Sequence, residues 1–185
     1  VLTYRIAHLI QQKKVDPFRI LALTFTNKAA DEMRERIEKV VGTEAKNLWL
    51  GTFHSVFARI LRVEAGKLGY PSNFTIYDTA DSKSLLKAII KEMNLDESLY
   101  KPNLVLGRIS GAKNRLIDAE AYGQDVVIAD EDQQIRRPLL GEIFKRYASR
   151  CFRAGVMDFD DLLLNIYKLF REHLEVRYKY QEQFQ

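Results

Sequence analysis

Cysteine, histidine and long apolar runs are scarce in this sequence, and each shortage argues against a class of protein. The single cysteine, Cys151, cannot form an internal disulfide, and the three histidines lie far apart, without the cysteine partners of a zinc site. No apolar run approaches the roughly 20 residues that a membrane-spanning helix needs. No signal-peptide pattern opens the chain. We therefore predict a cytoplasmic protein with no membrane partner.

The composition is that of a globular protein, with 46% hydrophobic and 29% charged residues. A length of 185 residues leaves room for one ordinary domain or two small ones. Lysine and arginine number 29 against 25 acidic residues, for a net charge of +4 and an isoelectric point of about 9.1. A mildly basic chain permits an anionic partner but does not establish one.

Both ends of the chain look interrupted. The sequence begins inside a helical pattern, with Leu2, Ile6 and Leu9 on one face and no N-cap residue before them. It closes on residues 178–185 (YKYQEQFQ), which contain no glycine or proline to end a helix. We interpret the sequence as an internal fragment of a longer chain.

Strand and helix patterns alternate in the first part of the chain. A helix reaches about residue 13, an apolar strand follows at 19–25, a second helix covers about 28–41 with Gly42 as its C-terminal glycine, and a second strand covers about 48–52. A third helix comes next. This order predicts a parallel sheet with helical crossovers.

Helical periodicity dominates the rest of the chain. Asp81 or Ser82 is predicted to cap one helix, and Asp158 to cap another whose apolar stripe begins at Phe159. Residues 126–133 (VVIADEDQ) are interpreted as a short apolar patch followed by an acidic helix N-terminus. The predicted fold class is an α/β piece followed by a mostly α-helical part, helix-dominated overall.

Two strand-to-helix junctions carry an unusual set of side chains. Residues 24–30 (TFTNKAA) and 51–55 (GTFHS) each place an aromatic, a hydroxyl and a polar or basic side chain after a predicted strand. In a parallel sheet both junctions open on the edge where α/β proteins bind ligands. Aromatic faces stack nucleobases, and helix N-termini hold phosphates. Ordinary capping of the two helices by the same side chains is the alternative.

The junctions belong to a longer resemblance. Residues 19–37 (RILALTFTNKAADEMRERI) closely resemble motif Ia, and residues 51–62 (GTFHSVFARILR) motif Ib, of the UvrD/Rep/PcrA family of superfamily 1 DNA helicases. The resemblance continues, in the family's order, through residues 74–96, 109–117 and 144–170. The family consists of ATP-driven translocases that unwind DNA with 3′ to 5′ polarity. The resemblance therefore implies an ATP-dependent DNA helicase involved in DNA repair, with ATP and Mg²⁺ as cofactors of the parent protein.

The resemblance also assigns domains and partners. It implies that residues 1–55 belong to the first RecA-like P-loop domain, residues 56–180 to a helical inserted subdomain, and residues 181–185 to the return toward the RecA-like domain. The implied partners are single-stranded DNA and junctions between single- and double-stranded DNA. The residues expected to line the single-strand track are Phe25, Thr26, Asn27, Lys28, Thr52, Phe53, His54 and Ser55.

Within this track, Phe25 is expected to stack on a base, and Thr26, Thr52 and His54 to contact the DNA backbone. The family's insertion lies beside the DNA junction, which makes Lys113 and Asn114 further candidates for DNA contact. A solvated surface is the alternative for these two residues.

The nucleotide-binding motifs of the family are missing from the sequence. The only Gly-Lys pair, Gly66–Lys67, is followed by Leu68 and has Leu61 where the first glycine of a phosphate-binding loop belongs. Residues 126–133 are similar in sequence to the family's acidic Mg²⁺-binding motif. They fall within the implied insertion, however, and are not interpreted as that motif. We expect no catalytic, cofactor-binding or metal-binding residue in this fragment. The phosphate-binding loop is expected to lie just before the fragment, and the acidic motif just after it.

Two other functions remain open from the sequence. One is a helicase fused to a nuclease, as in the recombination-repair branch of the superfamily. The other is a non-enzymatic nucleic-acid or protein-interaction module on a helicase scaffold. The gene on either side of the fragment distinguishes the three. A sheet of so few strands also predicts self-association through its exposed edges.

Overall fold

The computed structural model describes residues 2–184, which fold into two compact units. The first unit contains the chain up to Leu61 together with the segment from Leu169 onward, and the second contains Arg62–Lys168. These bounds differ from the expected divisions at residues 55 and 180. The assignment of the units to a motor domain and an insertion stays a prediction.

Ten α-helices and four short strands form the described part of the chain. The helices are α1 (Leu2–Gln11), α2 (Asn27–Val41), α3 (Phe53–Glu64), α4 (Thr79–Glu92), α5 (Pro102–Asn114), α6 (Ala119–Gln124), α7 (Val126–Gln134), α8 (Leu140–Arg153), α9 (Phe159–Glu172) and α10 (Leu174–Gln183). The strands are β1 (Leu21–Thr24), β2 (Trp49–Thr52), β3 (Thr75–Tyr77) and β4 (Val156–Asp158). The predicted helix-dominated fold is confirmed. None of the described helices is long and apolar enough to cross a membrane.

The first unit is built around the parallel pair β1–β2. The strands pair in the register Leu21↔Trp49 to Thr24↔Thr52, which confirms the predicted parallel sheet. Its core joins the inner face of α1, the inner face of α2 and both strands, through Ile6, Ile10, Ile20, Ala22, Ala30, Ile37, Ala45, Leu48 and Leu50.

The ends of the elements in this unit follow from local chemistry. Helix α1 ends at Gln11, earlier than predicted, before the chain turns at Lys14 with a positive φ of 55°. Gly42 ends α2 as predicted, because its φ of 74° is readily adopted only by glycine and its N–H donates to the carbonyl of Glu38.

The second unit has a larger helical core and its own parallel strand pair. Helices α4, α5 and α8 contribute most of the core, including Leu86, Ile109, Phe144 and Tyr147. Strand β3 pairs with β4 in the register Thr75↔Val156 to Tyr77↔Asp158. Strand β4 was not predicted, because its three residues lie between two strong helical patterns and derive their extended form from pairing with a distant segment.

Aspartates cap the helices that follow β3 and β4. Asp78, and not Asp81 or Ser82, is the N-cap of α4; it accepts hydrogen bonds from the N–H groups of Ala80 and Asp81, and Asp81 completes a capping box. Asp158 caps α9 as predicted, accepting from the N–H of Asp161 at 2.8 Å. An aspartate thus follows β3 directly and is the last residue of β4.

Candidate nucleic-acid interface

The carboxyl ends of β1 and β2 bring the two predicted junctions together. Thr24 and Thr52 are paired across the sheet, so the residues that follow them, Phe25 and Phe53, are neighbours. Their ring centroids lie 5.9 Å apart with an interplanar angle of 50°. The Phe25 side chain is 93% exposed, which is unusual for a large apolar residue. The edge therefore presents an aromatic platform to solvent.

At the start of α2, the backbone is capped by a neutral side chain. Thr26 is extended (φ −128°, ψ 148°), and its hydroxyl accepts a hydrogen bond from the N–H of Ala29 at 3.2 Å. The hydroxyl of Thr24 donates to the carbonyl of Thr26 at 3.0 Å and fixes the turn. Asn27 and Lys28 are exposed in the first turn, which contains no acidic residue. The positive end of this helix therefore faces solvent uncompensated.

At the start of α3, Thr52 and Ser55 cap the helix reciprocally. The Thr52 hydroxyl accepts from the N–H of Ser55 at 3.2 Å and lies 3.2 Å from the Ser55 hydroxyl, which donates to the carbonyl of Thr52 at 2.9 Å. A Cβ atom at Gly51 would stand 2.4 Å from Ser55 Oγ, so the absence of a side chain leaves room for this arrangement. His54 is half-buried beside it. The first turn of α3 again contains no acidic residue.

The two strand pairs of the molecule differ in electrostatics at their carboxyl ends. In the first unit, threonines cap the helices and both first turns lack acidic residues. In the second unit, aspartates cap the helices, and acidic side chains occupy the first turns: Asp81 in α4, and Asp160 and Asp161 in α9. Carboxylates at a helix N-terminus compete with any other anion for the same N–H groups and dipole. Only the first of these two edges is suited to phosphate.

Lys113 is not available for DNA contact. Its side chain is 2% exposed, and Nζ lies 2.7 Å from Asp158 Oδ2 and 2.7 Å from Asp161 Oδ1. It belongs to the last turn of α5. The spacing of Val105, Ile109 and Lys113 places the lysine on the apolar face of α5, and this spacing is the sequence signal for its burial. The DNA-contact prediction for Lys113 is corrected on this ground.

Burial and charge act against each other around Lys113. Burial by itself lowers the pKa of Lys113, but the attraction of Asp161 and Asp158 outweighs it and the pKa is raised. Burial acts to raise the pKa of Asp158, yet Lys113 holds it below its usual value. For Asp161, burial and repulsion from Asp158 prevail and raise the pKa to about 6. The Tyr147 hydroxyl donates to Asp158 at 2.9 Å and completes the cluster.

Asn114, the neighbouring candidate, is exposed but engaged. Its amide nitrogen donates to the carbonyl of Ser110 at 2.9 Å and to Asp160 Oδ1 at 3.2 Å. Asn114 belongs to the second unit, whereas Phe25 and the rest of the predicted track belong to the first. A DNA contact by Asn114 stays a prediction.

The acidic stretch in residues 126–133 is part of a helix interior. Asp125 caps α7 by accepting from the N–H groups of Val127 and Ile128, so the acidic residues do not form the helix N-terminus that was predicted. Asp132 is buried and accepts hydrogen bonds from the Tyr122 hydroxyl at 2.7 Å and Arg108 Nε at 3.1 Å. Within residues 2–184, no group of three His, Cys, Asp or Glu side chains is arranged to hold a metal ion.

One contact beneath the edge was not predicted. Arg34, on the inner side of α2, donates from Nη2 to the backbone carbonyl of Leu50 in β2 at 2.8 Å. The partner is a backbone atom 16 residues away. An arginine in a charged helix gives no sequence signal for such a bond.

The structure thus defines a class: an α/β unit with a solvent-facing aromatic edge at the ends of parallel strands, in one chain with a helical unit. The family model of the UvrD/REP helicase N-terminal domain matches residues 1–185. The chain therefore belongs to the UvrD/REP helicase N-terminal domain family.

Individual relatives agree with this assignment. The chain is 43% identical over 185 residues to the ATP-dependent DNA helicase PcrA of Bacillus subtilis, an alignment that covers 100% of the chain and 24% of that relative. It is 40% identical to the PcrA helicases of Staphylococcus epidermidis and Staphylococcus aureus, over 185 and 188 residues, all of the chain and 25% and 24% of their lengths. The chain thus spans about a quarter of the length of these relatives.

Proposed function

We propose that the first unit supplies part of the single-stranded DNA track of an ATP-dependent helicase that moves 3′ to 5′. One observation carries the proposal: Phe25 and Phe53 form an exposed aromatic pair, with ring centroids 5.9 Å apart, on an edge whose helix starts contain no acidic residue. Single-strand binders combine such stacking platforms with anion-compatible surfaces. Membership of a helicase family supports the same ligand.

Each residue of the edge takes a separate part in the proposed track. The ring of Phe25 stacks on a base, and Phe53 supports it from the adjacent strand end. Thr26 and Thr52, together with the N–H groups of the helix starts, contact the phosphodiester backbone. His54, Asn27, Lys28 and Ser55 border the same edge. Stacking on Phe25 is worth about 1–3 kcal/mol per base in comparable proteins.

ATP hydrolysis is proposed for the parent protein and not for this fragment. Gly66 and Lys67 lie in a short 3₁₀ turn, Ala65–Leu68, and offer no loop of N–H groups able to cradle phosphates. This turn therefore does not fit the phosphates of ATP. We therefore propose that ATP and Mg²⁺ act through parts of the parent protein outside these residues, and that the isolated chain neither hydrolyses ATP nor unwinds DNA.

The proposal is tested by titrating a fluorescein-labelled single-stranded oligonucleotide with the chain and following anisotropy. Binding is expected to be weak and to fall with salt, because only part of the track is present. F25A is expected to weaken binding about 10- to 100-fold, the equivalent of one lost stacking contact. The 93% exposure of Phe25 makes the change harmless to folding.

F159A is the matched control for F25A. Phe159 is 49% exposed and also follows directly on a parallel strand, but it stands at the acid-capped edge. Its removal is expected to leave the affinity unchanged. Equal losses in the two variants would contradict the proposal, as would tight binding at physiological salt or ATPase activity above background.

Preference for junctions and self-association are further parts of the proposal. The chain is expected to bind an oligonucleotide with a single-strand overhang no more weakly than the single strand alone.

Both strands of the β1–β2 pair have an outer edge without a further strand among the described residues. Sedimentation velocity over a range of chain concentrations tests the expected association through these edges.

A further inference from the structure

Arg34 makes a directional contact between the two halves of the proposed track. It lies on the same side of α2 as the buried residues Ala30 and Ile37, and its guanidinium donates to the Leu50 carbonyl at 2.8 Å. The aliphatic part of such a side chain packs with the apolar face of the helix, while the guanidinium reaches a polar partner. The contact joins the helix that follows Phe25 to the strand that precedes Phe53.

The carbonyl that Arg34 binds points away from β1. Trp49 N–H donates to the carbonyl of Ile20 and therefore faces β1. Backbone groups of successive strand residues alternate between the two sides of the strand, so those of Leu50 face the outer edge of β2. In the described part of the chain, no further strand pairs with that edge. Arg34 thus satisfies an acceptor that strand pairing leaves unsatisfied.

Pairing of Thr24 with Thr52 brings Phe25 and Phe53 together. We propose that Arg34 is a positioning residue for the single-strand track, because its bond to Leu50 fixes α2 against β2 and so fixes the place of Phe25, which lies two residues before that helix. This inference rests on the proposed function of the edge. Apolar contacts through Ala30 and Ile37 keep α2 against the sheet, but they are non-directional. The hydrogen bond from Arg34 to the Leu50 carbonyl, at 2.8 Å, is directional and specifies one position of α2 relative to β2.

A rival explanation is that Arg34 contacts a phosphate directly. The two explanations differ in salt dependence. Loss of one phosphate contact reduces the slope of log K against log salt concentration by about one. Loss of a positioning residue weakens stacking and leaves that slope unchanged.

The experiment compares R34M, R34K and R36M in the full 185-residue chain. R34M keeps an unbranched apolar side chain and removes the donor, and R34K keeps a cationic donor. R36M removes the same charge from the outer side of the same helix, where Arg36 is 68% exposed and paired with Glu32. Affinity for a (dT) oligonucleotide is measured at several salt concentrations. Stacking is followed by quenching of 2-aminopurine in a second oligonucleotide.

R34M is expected to bind about 3- to 10-fold more weakly than R36M, the range that one hydrogen bond to a neutral acceptor controls. Its salt slope should equal that of R36M, its 2-aminopurine quenching should fall, and R34K should restore both affinity and quenching. The inference is overturned by equal affinity and quenching in R34M and R36M, or by a salt slope that is smaller by about one in R34M.

A measurement without DNA separates this inference from the proposed function. Nuclear Overhauser contacts between the rings of Phe25 and Phe53 are expected in the wild type and in R34K, and are expected to weaken in R34M. If the wild type binds no DNA, the proposed function fails, while the ring contacts still decide the role of Arg34. If the ring contacts are unchanged in R34M, the positioning role of Arg34 is rejected. Should circular dichroism show that R34M is unfolded, R34Q, which is too short to reach the Leu50 carbonyl, gives the same decision.

Discussion

Replacing Lys113 by methionine tests the buried charge cluster of the second unit. The Lys113 ammonium lies 2.7 Å from each of two carboxylates, and its side chain is 2% exposed. Methionine has a similar volume and shape, so K113M removes the charge without opening a large cavity. Asp158 and Asp161 are then left in a buried site without a cation.

The expected loss of unfolding free energy is about 3 kcal/mol at pH 7. Removing one partner of a buried ion pair typically costs about 3–5 kcal/mol, because the remaining charge stays desolvated. The lower end applies here for two reasons. Asp158 keeps the hydrogen bonds from Tyr147 and from the N–H of Asp161. Asp161, whose pKa is already raised to about 6, relieves part of the repulsion by taking up a proton.

Urea unfolding followed by far-ultraviolet circular dichroism measures this loss. K87M is the matched control, because Lys87 is exposed on α4, and a change within about 0.5 kcal/mol is expected for it. The double variant K113M/D161N should recover part of the loss, since it removes one of the two unpaired carboxylates. A K113M chain as stable as K87M would refute the argument. So would a K113M chain of normal stability whose DNA-binding salt slope is smaller by about one, because Lys113 would then contact phosphate.

Three further predictions concern single groups. The pKa of Asp161 is raised from 3.8 to about 6 on folding, so its stabilising contribution is complete below about pH 4 and is lost as the pH rises through 6. The stability of the wild type relative to D161N should therefore fall by up to about 3 kcal/mol between pH 4 and 7 in urea titrations, and a flat difference would contradict it. T26A should lose about 1 kcal/mol in thermal unfolding because Ala29 N–H loses its acceptor, whereas T26S should match the wild type. Burial raises the pKa of Cys151 to about 12, so iodoacetamide at pH 8 should modify it only in urea; rapid modification of the native chain would show that the thiol is accessible.

Much of the first unit was predictable because its signals are local. The apolar run before Phe25 and the helical period after Asn27 are contiguous, and each reflects a period of the backbone. The pairing of Thr24 with Thr52 then follows from parallel pairing of consecutive strands. Family resemblance acts on the same contiguous motifs. The grouping of the two aromatic residues at one edge was accordingly predicted, and the structure places their rings 5.9 Å apart.

Predictions failed where the partner of a residue is distant in the chain. Strand β4 exists because β3 pairs with it, and no local pattern in its three residues marks an extended segment. The N-cap of α4 was predicted at Asp81 or Ser82, but it is Asp78, which lies between β3 and the helix. Lys113 looked like a surface cation, although an aspartate 45 residues away holds it in the interior.

The sequence by itself determined the family, the alternation of strands and helices in the first unit and the identity of the residues at its aromatic edge, because these depend on short-range periodicity and contiguous motifs. Only the tertiary structure decided which charges are available to a ligand. It buried Lys113 between two carboxylates and joined Arg34 to the carbonyl of Leu50. It also placed aspartates at the helix starts that follow β3 and β4, and left the helix starts that follow β1 and β2 without acidic residues. These outcomes depend on desolvation and on distances between segments that are remote in the chain, and neither quantity exists until the chain has folded.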